Sequence, residues 1–221
     1  MRYDHDVAHA GRGFVLSLGL AVGAAAYQPT LDRGAINDAI AIGQSRVDAA
    51  RARYHLPYHL PVAWPPVDYV DVVTPFRRVV LAAEERARIG DRAFGQREAL
   101  ALLADRMSLA LFVELTFHPL NTYVGVPSYD VTLADTASAQ TITARRIDRI
   151  PRYGMRLDGM PLPYAYPAVP PTPGSSQPML GGTLIAEFDN GAVKTTGMYH
   201  VIVEDNGREL ARVRVDLAIL R

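Results

Sequence analysis

Apolar positions recur with a helical period through the first half of the chain and alternate through much of the second half. Between residues 30 and 54, Ile36, Ile40, Val47, Ala50 and Tyr54 form one stripe, with Asn37, Asp38, Gln44 and Arg51 between them. The pattern predicts a helix capped by Asp32 or Thr30, whose side chains satisfy an orphan N–H of the first turn. A loop rich in proline and aromatic residues follows from Tyr54 to Pro66 and holds the only tryptophan, Trp64. Thr74-Pro75 then opens a second helix, because threonine caps and proline needs no N–H partner at the first helical position. Its apolar stripe is Phe76, Val79, Val80, Ala83 and Ala87, which leaves Arg77, Arg78, Glu84, Glu85, Arg86 and Arg88 on the solvent side, and Gly90 ends it. A third helix over 96–105 repeats the design with Leu100 and Leu103.

At Leu109 the period changes to two. Leu111, Val113, Leu115 and Phe117 face one way, and Phe112, Glu114, Thr116 and His118 the other, as in a half-buried strand. Further strands are expected at 129–133, 141–150, 183–188, 198–205 and 209–220. The last two flank Asp205-Asn206-Gly207, a strong hairpin signal. A three-residue loop pairing Glu204 with Arg208 places Tyr199, Val201 and Val203 on the face of Ala211, Val213, Val215 and Leu217, whereas a plain two-residue turn mixes the faces. Helices followed by clustered strands predict an α+β chain, with an N-terminal helical segment packed on a C-terminal antiparallel, immunoglobulin-like β-sandwich. The expected divisions are 1–26, 27–106 and 107–221, and the likeness to immunoglobulins is one of layers only, without their cysteine pair and tryptophan.

Composition narrows the function. Residues 14–26 are a 13-residue apolar run after Arg12 that closes on Ala24-Ala25-Ala26, the layout of a secretory signal cut before Tyr27. The run is short for a bilayer span, which needs about 20 residues. The expectation is export to a periplasm, envelope or the medium, with membrane contact only through 14–26 if that segment is retained. The 23 basic and 23 acidic residues cancel, which argues against a nucleic-acid partner. Without cysteine there is no disulfide, thiolate metal site or cysteine nucleophile. The basic residues are 22 arginines and one lysine, Lys194.

No serine elbow, Walker sequence or dinucleotide fingerprint occurs, and no cofactor is expected. His55 and His59 have ligand spacing, but Pro57 and Pro61 break the helix such a pair needs. His118 and His200 are both expected on outward strand faces and form a metal pair only if those strands adjoin. The carboxylates Glu114, Glu187, Asp130 and Asp189 read as outward strand or turn residues. Three surface features remain. Tyr54, Tyr58, Trp64 and Tyr69 offer stiff, amphipathic contact area. Tyr164 and Tyr166 lie in a stretch, 161–178, with seven prolines in 18 positions, too many for helix or central strand. Arg145, Arg146 and Arg149 begin a basic run that suits either an anionic partner or the guarded edge of a sheet. These features point to a non-catalytic exported protein that contacts another protein or joins an assembly. The alternatives are a carbohydrate or small apolar ligand binder and an envelope hydrolase.

Overall fold

The computed structural model describes residues 26–105, 108–118, 120–138, 140–154 and 179–221. The expected export run and the proline-rich stretch with Tyr164 and Tyr166 lie outside these residues, Ala26 excepted.

The first apolar stripe forms two helices instead of one. α1 (Arg33–Gly43) starts on Asp32, whose carboxylate accepts the Ala35 N–H at 2.7 Å, and it buries Ala35, Ile36 and Ala39. It stops where Gly43 meets the next long helix so closely that a Cβ would lie 2.4 Å from the Val80 carbonyl oxygen. Ser45 then accepts the Val47 N–H, a local bond that competes with helix continuation. α2 (Asp48–His55) follows and buries no residue, so Val47, expected on the stripe, is exposed. Arg51 and His55 bind Glu84 at 3.2 and 2.9 Å and fasten this helix by charge.

The aromatic loop is likewise more ordered than its composition implies. A 3-10 turn (Leu56–Tyr58) leads into β1 (His59–Pro61), which pairs with β2 (Val67–Val73). β2 escapes a simple alternation rule because the register shifts between Val67 and Tyr69, so that Val67, Val70 and Val72 all reach the core. α3 (Pro75–Arg88) has the expected Thr74 cap and ends near Gly90, which has φ +82°. Arg77 and Arg78, expected in solvent, are buried. In α4 (Gln96–Asp105), Ala99 and Leu103, four apart, face the helical core, and Leu100 is exposed.

The remaining strands are β3 (Leu109–Thr116), β4 (Asp130–Asp135), β5 (Thr141–Thr143), β6 (Arg146–Tyr153), β7 (Met179–Phe188), β8 (Met198–Asp205) and β9 (Arg208–Asp216). They build two antiparallel sheets, ordered β1-β2-β3-β7-β6 and β5-β4-β8-β9. The strand expected over 141–150 divides at Ala144-Arg145, where the chain leaves one sheet for the other; Arg145 N–H bonds the Glu187 carbonyl at 2.8 Å. Leu111, Val113 and Leu184 of one sheet and Leu133, Val201 and Val215 of the other share one core, as in a sandwich. The helices have a separate core of Ile36, Phe76, Val79, Val80, Phe94 and Leu103.

The last hairpin corrects the expected turn but keeps the expected faces. Asn206 (φ 50°) and Gly207 (φ 80°) form a two-residue turn, and Asp205 pairs with Arg208. The extra residue sits deeper, at Leu210, between the pairs Glu204–Glu209 and Val203–Ala211. Beyond it Val201 faces Val213 and Tyr199 faces Val215, so the bulge restores the apolar register that a plain turn would lose.

Gly43 gives the first test. Gly43→Ala should cost about 1–3 kcal/mol by forcing α1 off α3, because the obstruction is backbone that cannot rotate away. Urea unfolding would measure it, and a variant as stable as the parent would contradict the close helix contact.

Candidate functional site

Two surfaces emerge from this frame, a charged network on the outer face of the five-stranded sheet and an uncharged pair of loops at one end of that sheet. The network begins with cross-strand register. Tyr69 pairs with Glu114, which pairs with Thr183, and Thr116 pairs with Gly181, which pairs with Arg152. A Cβ on Gly181 would lie 2.5 Å from an Arg152 terminal nitrogen, so the glycine leaves the space through which arginine crosses β7. Arg152 thereby donates to the Leu115 carbonyl at 2.8 Å and to Thr116 Oγ1 at 3.2 Å, and pairs with Glu114 at 3.3 Å. Thr116 passes its own proton to Asp68 at 2.5 Å, and Thr183 donates to Glu114 at 2.7 Å.

Glu114, expected outward and solvated, is 8% exposed. Burial pushes its carboxyl above the ordinary carboxylate range; the Thr183 hydrogen bond and Arg152 oppose that rise, and the negative charges of Asp68 and Asp71 add to it. Asp71, also buried, sits between His59 Nδ1 at 3.1 Å and Arg77 at 3.6 Å. Every charged member of this face has a partner within the protein.

The expected aromatic platform is dispersed. Tyr54 and Tyr58 join the two cores: the Tyr54 hydroxyl donates to that of Tyr58 at 3.1 Å, which in turn donates to the Arg221 carbonyl at 3.2 Å and accepts the Arg221 N–H at 3.0 Å. Tyr69 lies on the sheet face with its ring 4.6 Å from that of His59. Trp64, at the tip of the β1–β2 hairpin, is 74% exposed.

The arginine run lies along β6, an edge of its sheet. Arg145 is 3.9 Å from Glu187 and Arg146 is 2.9 Å from Asp148. Arg149 donates to the carbonyls of Pro127, Ile147 and Tyr129 at 3.3, 3.3 and 3.0 Å, and so braces the connection between β3 and β4. His118 follows β3 at the end of one sheet and His200 lies in β8 of the other, so the two do not come together as strand neighbours. Among the described residues no group of three or more His, Asp or Glu side chains is placed to hold a metal ion. Among them also, no helix is long and apolar enough to cross a membrane. A groove of about 520 Å³ lined by Ala41, Ile42, Ala50 and Tyr54 lies open beside α2, and its one deep cation, Arg51, is already bound to Glu84 and Asp48.

The residues that pattern reasoning missed are in the β3–β4 connection. Leu120 is 83% exposed, Val124 is 97% exposed and Tyr123 packs edge-on against Phe117. Residues 120–129 contain no charge, nor do 62–66, and that absence was the available signal. Both loops leave the same end of the sheet: Thr116 N–H binds the Pro66 carbonyl at 2.8 Å, and Asn121 Nδ2 donates to the carbonyls of His118 and Met179 at 2.7 and 2.9 Å. No family model matches the chain, and neither does any curated protein or solved structure.

The buried carboxylates set opposite pH signatures. Glu114 binds its proton more tightly when folded, so its contribution is full below the ordinary value of 4.5 and is lost as pH rises through the raised value. Glu114→Gln should therefore match the parent in urea midpoint at about pH 4 and equal or exceed it at about pH 7. Asp135 is the reverse case: hydrogen bonds from Lys194 Nζ, the Ala137 N–H and the Ser138 hydroxyl hold its carboxyl below the ordinary 3.8. Its contribution is present above that value and lost as pH falls, so Asp135→Asn should lower the midpoint at about pH 7, with the gap closing toward about pH 3. Parallel midpoint curves for the two variants would contradict these assignments.

Proposed function

We propose that this chain is a non-catalytic, exported protein that docks a protein partner with the loop end of its five-stranded sheet. One observation carries the reading: two uncharged loops hold Trp64, Leu120 and Val124 in solvent at the same end of a rigid scaffold. The centres of protein interfaces are depleted of charge and anchored by tryptophan, while isolated exposed apolar residues elsewhere need no explanation. The loops are also stiff. Pro65 and Pro66 fix their own φ angles, and Arg149 and Asn121 tie down the longer loop, so little chain entropy is lost on docking. The immunoglobulin-like description belongs to this proposal in the same sense, as a sandwich that presents loops at its ends. Export rests on the apolar run and small-residue terminus at 14–26.

A carbohydrate ligand is the second reading, favoured by Trp64 standing at the tip of the hairpin whose base carries Asp68 and Tyr69, a stacking ring near hydrogen-bonding groups. The buried network gives the hydrolase reading less support, because its carboxylates are spent on internal partners.

Trp64→Ala and Val124→Ser, each exposed, should leave the unfolding midpoint within about 0.5 kcal/mol of the parent. Each should weaken a specific captured partner, Trp64→Ala by about 30-fold, the effect of a 2 kcal/mol anchor. The measurement is cross-linking capture from the native envelope, followed by titration with the purified partner and, separately, on a glycan array. A partner bound equally by all three proteins would refute docking through this end, and glycan binding lost with Trp64 would select the second reading.

A further inference from the structure

The two ends of the five-stranded core meet a residue that the sandwich could easily have left outside. Tyr27 is 1% exposed, and its ring belongs to the core shared by both sheets. Its backbone N–H donates to the Leu217 carbonyl at 3.0 Å, in the 3-10 turn that follows β9. Its hydroxyl donates to Asn190 Oδ1 at 2.5 Å, and the same oxygen accepts the Leu109 N–H at 3.0 Å where β3 begins. Asn190 Nδ2 returns to the Pro29 carbonyl at 3.3 Å. Tyr27 thus joins the start of β3, the loop after β7 and the turn after β9, all through atoms of one residue and its asparagine partner. Ala26, immediately before it, is half-buried and makes none of these bonds.

We infer that the Ala26–Tyr27 peptide bond is a proteolytic processing site and that the tyrosine released by the cut is a structural N-terminus. The inference rests on the export reading and sharpens it. The chemistry of the site is small side chains at Ala24 and Ala26, which a leader peptidase accepts in an extended backbone. The fold supplies an independent coincidence, since the first residue after that site is the first one locked into the core. Hydrolysis adds water across the bond: the C–N bond breaks, hydroxyl goes to the Ala26 carbonyl carbon, and the proton goes to Tyr27 nitrogen. The products are a leader carboxylate and a Tyr27 ammonium. That ammonium retains a donor for Leu217, and the half-buried position of Ala26 marks an outlet to water, so the new charge stays solvated. The order of events follows from burial. A peptidase must hold the chain extended on both sides of the bond, and the folded protein holds Tyr27 by ring, hydroxyl and backbone. The cut therefore precedes closure of the sandwich, while the chain is still unfolded at the membrane.

The test is expression of the full 221-residue chain in a bacterial host with an export pathway, followed by N-terminal sequencing of the soluble envelope fraction. The expected first residue is Tyr27. Folded soluble protein that begins at Met1, or at any other residue, overturns the site. Ala26→Leu, too large for a small-residue peptidase, should keep the leader and shift the chain to the membrane fraction; normal processing of this variant also counts against the proposal. Tyr27→Phe keeps the ring and removes the hydroxyl. It should be cut at the same bond and unfold about 2–4 °C lower, the effect of one lost buried hydrogen bond; an unchanged midpoint would overturn the structural role. Capture through Trp64 is scored separately, so a chain cut before Tyr27 that captures nothing fails only the docking reading.

Discussion

A buried guanidinium dictates how the helices meet the sheets. Arg77 has no solvent exposure, and an ion in that position is tolerated only with charge and hydrogen-bond partners around it. It finds the Asp71 carboxylate at 3.6 Å, the Val72 carbonyl at 2.7 Å and the Tyr58 ring at 4.9 Å. Those partners come from the middle of β2, its end and the 3-10 turn before β1, so satisfying one side chain fixes α3 against three pieces of the five-stranded sheet. Thr74 extends the same junction, since its hydroxyl accepts the Arg77 N–H and donates to the Arg221 carbonyl. Arg221 then lies over the Phe76 ring at 4.4 Å and pairs with Asp38 of α1 at 3.1 Å. Two separate apolar cores are therefore joined by polar contacts of high directionality, which set a geometry that area burial alone would leave loose.

The same logic separates the two surfaces of the five-stranded sheet. Its outer face carries charge in a form that is already neutralised, with Arg152 passing over Gly181 to Glu114 and Asp71 held between His59 and Arg77. A ligand arriving there would have to displace internal partners and bear their desolvation. The loop end has no such obligations, because 62–66 and 120–129 contain no charge and their backbone ties are made to the scaffold. Binding at the loop end removes apolar surface from water without breaking an ion pair, and this difference in cost favours it over the more chemically conspicuous face.

Much of the secondary structure was legible because it follows from local rules. Thr74-Pro75, Gly90 and the alternation from Leu109 each specify their element with a few neighbouring residues. The failures were tertiary. Arg77 looked like a solvent residue because only a partner from another strand, Asp71, makes its burial tolerable. β2 was hidden by a bulge and by that same aspartate, and the final hairpin kept its faces with the bulge displaced to Leu210, since several turn and bulge combinations satisfy one apolar pattern. Trp64 was legible as a surface aromatic. Tyr54 and Tyr58 were not legible as its structural opposites, because their hydroxyls are consumed by Arg221, more than 160 positions away in sequence. The exposed Leu120 and Val124 were overlooked because a search for charged or catalytic residues passes over a segment whose distinction is having none.

The edges of the sheets explain why recognition falls to loops. An exposed strand edge is the cheapest site for adding another chain, since its N–H and C=O groups are already aligned. Here β1 and β5 are three residues long, and β1 ends in Pro61. β6 carries Arg146, Asp148, Arg149 and Arg152 with Pro151 among them, and β9 carries Arg208, Glu209, Arg212 and Arg214. Shortness, proline and charge are the devices that prevent strand addition. With its edges closed in this way and its outer sheet face internally paired, the sandwich leaves the apolar loop tips as the surface where a partner gains most and displaces least.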